Sequence, residues 1–83
     1  MTLREQIDQL RPQQREVLGL ICMGQTAGHH PRTLAALARH GLIVMQERVD
    51  AGSRGAFSYV EPDVPVDVHL AYCEWAAEQP ELL

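Results

Sequence analysis

The sequence predicts a small α+β fold that is mainly α-helical, with three helices, a β-hairpin and an additional C-terminal helix. Apolar residues recur at helical spacing in four segments, as they do on helices that bury one face. Prolines begin and glycines end two of these segments, which is the usual asymmetry of helix termini. Between residues 42 and 60, two runs rich in β-branched and aromatic residues flank a glycine-containing turn, and that pattern predicts a hairpin.

Length and composition set limits on this fold. The 83 residues allow one domain, which we expect to span residues 1–83, and a chain this short buries only about 60 to 65 per cent of its unfolded surface. With 46% hydrophobic and 22% charged residues, the composition is that of an ordinary globular protein. The longest apolar run, Val17–Gly24, is too short to cross a membrane, and the N-terminus lacks the apolar segment of a secretory signal. We therefore expect a cytoplasmic protein without membrane contact.

The first two helices are predicted over residues 2–10 and 12–23. Thr2 and Glu5 have the spacing of a capping box. Pro12 suits the first position of the second helix, and Gly24 suits the residue just after its end. The apolar faces consist of Leu3, Ile7 and Leu10 on the first helix and of Val17, Leu18, Leu20 and Ile21 on the second.

The third helix, predicted over residues 31–40, has a sharp start and a sharp end. Pro31 suits its first position, and Gly41 suits the left-handed residue that follows a helix. The apolar residues that share one face are Leu34, Leu37 and Ala38, and the other faces carry Arg32, Thr33, Ala36, Arg39 and His40. One face can therefore pack against the domain while the opposite face is available to a partner.

A hairpin and a last helix complete the chain. The two strands are predicted over residues 42–60 around the turn Asp50–Gly55, and Glu61–Pro65 is expected to end the sheet. The C-terminal helix, over residues 66–79, carries two apolar stripes, namely Val66, Leu70, Cys73 and Ala77, and Val68, Tyr72 and Trp75. Its own domain can cover one stripe only. We expect the other, Val68, Tyr72 and Trp75, to form an interface with a second copy of the chain or with another protein.

The third helix and the hairpin together resemble the recognition helix and wing of winged helix-turn-helix DNA-binding proteins. The residues that carry the resemblance are Arg32-Thr33-Leu34, Leu37 and Gly41-Leu42-Ile43, followed by the hairpin. The resemblance implies a three-helix winged helix-turn-helix fold and binding of double-stranded DNA. The sequence departs from the family in the turn before Pro31, which is longer than the usual three or four residues.

The resemblance also implies which residues contact DNA. Recognition helices present their first residues to base edges, and arginine pairs well with guanine. The expected contacts are His30, Arg32, Thr33, Ala36, Arg39 and His40 on the helix, with Arg48 and Arg54 near the hairpin tip. The same residues are equally compatible with a solvated helix face and a plain solvated turn.

The charge distribution supports two functions from different classes. Residues 11–60 carry a net charge of +3, whereas residues 61–83 carry −6 and the whole chain −4. The basic part coincides with the expected DNA-reading unit and favours a small, homodimeric transcriptional regulator. The acidic total favours the alternative, a protein-binding winged-helix module whose acidic C-terminal helix occupies or inhibits a partner.

Residue patterns for other chemistry are weak. Cys22, His29, His30 and His40 have atoms that bind zinc, but their spacing does not define a site, and we expect no metal and no cofactor. No serine lies near an evident base, and we expect no catalytic site. Cys22 and Cys73 lie on apolar helical faces without a secretory signal, which favours reduced core thiols over a disulfide.

Overall fold

The computed structural model of this protein describes residues 1–52 and 55–79, which form four helices and one antiparallel hairpin. The elements are α1 (Leu3–Gln9), α2 (Pro12–Cys22), α3 (Pro31–Arg39), β1 (Val44–Gly52), β2 (Gly55–Asp63) and α4 (Val66–Ala77). The predicted α+β class is confirmed, with the helices and hairpin in the expected order. No helix in the described part of the chain combines the length and the apolar character that crossing a bilayer requires.

The helix ends form through the local contacts that their residues favour. At the start of α1, the Thr2 hydroxyl accepts the Glu5 N–H at 3.1 Å while the Glu5 carboxylate accepts the Thr2 N–H at 3.4 Å, which confirms the capping box. At the end of α3, Gly41 has a φ of 74° and the Leu42 N–H donates to the Leu37 carbonyl at 3.0 Å. This Schellman turn directs the chain back into the core.

The core consists of eight buried apolar side chains drawn from the helices, from the turn between α1 and α2, and from the connection after α3. They are Ile7, Leu10, Leu18, Ile21, Leu37, Leu42, Ile43 and Val68. Burying each of them contributes on the order of 1.5 to 3 kcal/mol of transfer free energy. Leu42 and Ile43 were predicted to begin the first strand, but they belong to the connection, and β1 begins at Val44. The Schellman turn explains this difference because it places both residues against the helices.

The hairpin is longer than the sequence predicts. Val44 pairs with Asp63 at one end and Gly52 with Gly55 at the other, so β2 continues through Pro62 instead of ending before it. A two-stranded sheet has only edge strands, and an edge strand tolerates a residue without an N–H. Every residue of β1 is exposed, and a nine-residue strand is about 30 Å long. The hairpin therefore extends away from the helices, which explains the longest dimension of 47 Å.

Helix α4 packs with the opposite stripe from the one predicted. Val68 is only 2% exposed and lies in the core, and Tyr72 and Trp75 pack against that core, so the prediction that this stripe remains uncovered is wrong. The other stripe faces outward, with Val66 76% and Leu70 57% exposed. The physical reason is that this arrangement buries two aromatic rings, which offer more apolar area than the side chains of the other stripe.

Polar contacts fix the aromatic stripe in place. The Trp75 indole N–H donates to Asp8 Oδ1 at 3.2 Å, and the Arg15 guanidinium lies 5.0 Å from the centre of the indole ring. Arg4 forms an ion pair with Glu78. Because Asp8 and Arg4 come from α1 and Arg15 from α2, α4 is held against both helices.

Candidate nucleic-acid interface

The start of α3 is built by a histidine cap and a proline. His30 is the N-cap, and its Nδ1 accepts the backbone N–H of Arg32 at 3.1 Å, while Pro31 occupies the first helical position. The cap uses the ring nitrogen of His30 within the chain, so we assign this residue, which the sequence placed among the DNA contacts, a structural role at this end of the helix. The Arg32 side chain, whose own backbone N–H makes this cap, is exposed.

The exposed face of α3 is defined by Arg32 and Arg39. The two residues are seven positions apart, which brings them to nearly the same angle around a helix and about 10 Å apart along its axis. Both are exposed, while Leu37 on the opposite side is fully buried. Of the other residues predicted to face DNA, Ala36 and Thr33 are half-buried at the edges of this face. His40 is exposed and caps the C-terminal end of the helix.

A groove joins the C-terminal end of α3 to the turn between α1 and α2. It has a volume of about 580 Å³. The polar side chains that line it are Gln6, Gln9, Arg11, Gln14, Arg39 and His40, with Ala36 and Leu42 among the apolar ones. No acidic side chain lines it in the described part of the chain. The groove therefore combines two arginines and a histidine with neutral amides.

The arginines differ in what they contact. Arg4 pairs with Glu78, and Arg15 faces the Trp75 ring and donates to the Asp8 carbonyl oxygen at 2.6 Å. Within residues 1–52 and 55–79, the arginines with no carboxylate within ion-pair distance are Arg11, Arg15, Arg32 and Arg39. Because Arg15 is engaged by the indole ring, the arginines in the described residues that are available to a partner are Arg11, Arg32 and Arg39, and all three lie on α3 or beside the groove.

Arg48, by contrast, is neutralised within the hairpin. Its Nε lies 3.0 Å from Glu61 Oε1, and its guanidinium also lies 3.9 Å from Asp63 Oδ2. The described hairpin residues carry this one arginine against four carboxylates, with Glu47 and Asp50 as the other two. These carboxylates argue against the prediction of Arg48 as a DNA contact, because the surface around it repels phosphate. Arg54, the other predicted contact near the tip, lies outside the described residues.

Sequence reasoning missed Arg11 and Gln14 as members of the candidate interface. The Gln14 side-chain oxygen accepts the Arg11 backbone N–H at 3.2 Å, which fixes both at the start of α2. The sequence placed Arg11 correctly at a helix boundary before Pro12. It contained no signal that this boundary lies beside the end of α3, because that proximity depends on how the helices pack.

The cysteines lie apart from this interface. Cys22 is half-buried, and burial raises the pKa of its thiol to about 11. Cys73 is exposed, so the prediction of a core thiol is wrong for this residue. In the described residues, no three His, Cys, Asp or Glu side chains lie close enough together to hold a metal ion.

A second groove, of about 490 Å³, is more apolar. It lies between α2 and α4 and is lined by Gly19, Leu20, Met23, Tyr72 and Trp75, with Arg15 and Glu16 at its margin.

Comparisons with protein-family models, with curated proteins and with solved structures gave no match. The candidate interface is therefore argued from its own geometry.

Proposed function

We propose that this protein is a winged helix-turn-helix protein that binds double-stranded DNA through α3 and regulates transcription. The observation that carries the proposal is the exposed α3 face, on which Arg32 and Arg39 stand without an acidic partner in the described part of the chain. The order of three helices, hairpin and further helix is compatible with this fold.

The two ends of α3 would serve different purposes. Arg32 lies in the first turn, from which recognition helices contact base edges, and its guanidinium suits the O6 and N7 atoms of guanine. Arg39 and His40 lie at the other end, beside the groove, where contact with the phosphate backbone is the simpler expectation. The acidic hairpin then has no direct part in neutralising phosphate, at least through its described residues.

The test is duplex binding measured by fluorescence anisotropy, at low and at physiological salt. We expect Arg39→Gln to weaken binding to all duplexes and to make the slope of log K against log salt shallower by about 0.9. We expect Arg32→Gln to cost about 1 to 3 kcal/mol on a preferred site and to relax base choice there. Arg4→Gln is the matched control because it removes one positive charge on another face. Absence of duplex binding by the wild type at low salt would refute the proposal.

A protein-binding function is the second candidate, and exposed apolar side chains favour it. On the hairpin, Val49 is 70%, Phe57 57% and Val60 60% exposed, and on α4 Val66 and Leu70 are also exposed. An isolated two-stranded hairpin is marginally stable in water, so a partner that covers it would stabilise it. Under this candidate the acidic hairpin and α4 would contact a basic partner, and duplex binding would be absent.

Homodimerisation is compatible with both candidates, but the Tyr72 and Trp75 stripe is no longer the surface that we expect to mediate it. Tyr72 and Trp75 are engaged within their own chain, which leaves Val66 and Leu70 on the outer face of α4. If two copies meet there, Leu70→Asp should convert a dimer into a monomer in sedimentation experiments. A wild type that remains monomeric at high micromolar concentration would exclude this interface.

A further inference from the structure

We propose that the groove between the α1–α2 turn and the end of α3 binds a phosphate group of the DNA backbone. This inference rests on the proposed function and extends it to a surface that the α1–α2 turn shares with the end of α3. It makes Arg11 a DNA-contacting residue, although neither its sequence neighbourhood nor the resemblance to winged helix-turn-helix proteins indicated this role.

The first argument is that two arginines and a histidine converge on the groove from two separate elements. Arg11 comes from the turn before α2, and Arg39 and His40 come from the end of α3. Each guanidinium carries several N–H donors in a planar arrangement that matches phosphate oxygens. Two like charges that face one cavity repel each other, and an anion between them removes that repulsion.

The second argument is that the remaining polar walls can donate hydrogen bonds without adding negative charge. Gln14 accepts the Arg11 backbone N–H with its oxygen, which leaves its NH₂ group available as a donor. Gln6 and Gln9 also line the groove and add no charge to it.

The third argument is continuity with the α3 face. Arg39 belongs both to the groove and to the exposed face that includes Arg32, so a strand that follows α3 reaches the groove without leaving the protein surface. That continuity favours a phosphate within a strand over a free ion.

The experiment compares Arg11→Gln with Arg4→Gln, since each removes one positive charge from the surface. Duplex affinity is measured by anisotropy from about 50 to 200 mM salt. If Arg11 neutralises a phosphate, wild-type affinity should fall about 3.5-fold more over this range than that of Arg11→Gln, which is one contact's share of the salt slope. Arg4→Gln should retain the wild-type slope, and Arg11→Lys should restore most of it. Circular dichroism checks that each variant is folded.

Each alternative outcome is distinguishable. If the wild type binds duplex but Arg11→Gln and Arg4→Gln share one slope, the groove proposal is overturned and the proposed function stands. If the wild type binds no duplex, the proposed function fails. Titration with inorganic phosphate then decides whether the groove binds phosphate at all. If phosphate shifts the NMR signals of the His40 ring in the wild type but not in Arg11→Gln, only the assignment to DNA is overturned. If the signals of the wild type do not change, the phosphate site itself is overturned.

Discussion

The contact between α2 and α4 predicts that Gly19→Ala has opposite effects depending on the residue at position 72. Gly19 is buried in the middle of α2, and Tyr72 lies across it. A Cβ atom at Gly19 would lie 2.3 Å from Tyr72 Oη and 2.8 Å from Tyr72 Cζ, so the ring must move to admit a methyl group. The ring is not free to do so without loss, because it packs against the core and its centre is 5.8 Å from that of Trp75.

Two effects of known size compete in this substitution. Alanine is favoured over glycine in a helix interior by about 1 kcal/mol, whereas overfilling a packed site costs about 1 to 3 kcal/mol. In the wild-type background we expect the cost of overfilling to be larger, so that Gly19→Ala lowers the free energy of unfolding by about 1 kcal/mol. In a Tyr72→Leu background the shorter side chain leaves the space open. There we expect Gly19→Ala to raise the free energy of unfolding by up to about 1 kcal/mol.

Urea denaturation of the four proteins measures this coupling, which should be about 2 kcal/mol by the double-mutant cycle. For a domain of this size, each kcal/mol also corresponds to a shift in Tm of about 4 to 8 °C. The single variant Tyr72→Leu serves as the reference for its own lost contacts. The reasoning is refuted if Gly19→Ala stabilises both backgrounds equally, since the ring of Tyr72 would then not restrict position 19.

Two further predictions concern His30 and Cys22. His30→Ala should cost about 1 kcal/mol in urea denaturation because it removes the side-chain acceptor at the start of α3, and His30→Asn should retain most of that stability; equal losses in both variants would contradict the cap. Because burial raises the pKa of the Cys22 thiol to about 11, its alkylation by iodoacetamide in the folded protein should keep accelerating up to about pH 11. A rate that levels off near pH 9, followed for the Cys22 peptide by mass spectrometry, would contradict the raised pKa.

Local signals in the sequence predicted the helices well because their causes are local. The capping box at Thr2 and the left-handed Gly41 each depend on residues within a few positions. Helix α4 carried two apolar stripes of similar length, and periodicity alone cannot rank them. Besides the apolar area of the rings, the outcome depends on Asp8 and Arg15, which lie far away in sequence and contact the Trp75 side chain.

The candidate interface was only partly predictable for the same reason. Arg32 and Arg39 were found because they share the exposed face of one helix, a property that follows from spacing. Arg11 was missed because its proximity to α3 depends on tertiary packing. The ion pairs of Arg48 were not predictable because they depend on strand register, which brings Glu61 and Asp63 beside it. The unexpected continuation of β2 through Pro62 to Asp63 is what places Asp63 there.

The net charge of the chain is unevenly distributed over the surfaces of the fold. The excess of +3 over residues 11–60 comes entirely from residues 11–43, because arginines and carboxylates balance over residues 44–60. Glu61 and Asp63 then make the hairpin acidic and neutralise Arg48. The positive charge is thus concentrated on α3 and the start of α2, where Arg11, Arg32 and Arg39 have no carboxylate partner in the described residues. Under the proposed function, a duplex should therefore approach this protein from the side of α3 and the groove, and the salt dependence of binding should follow those three arginines rather than Arg48.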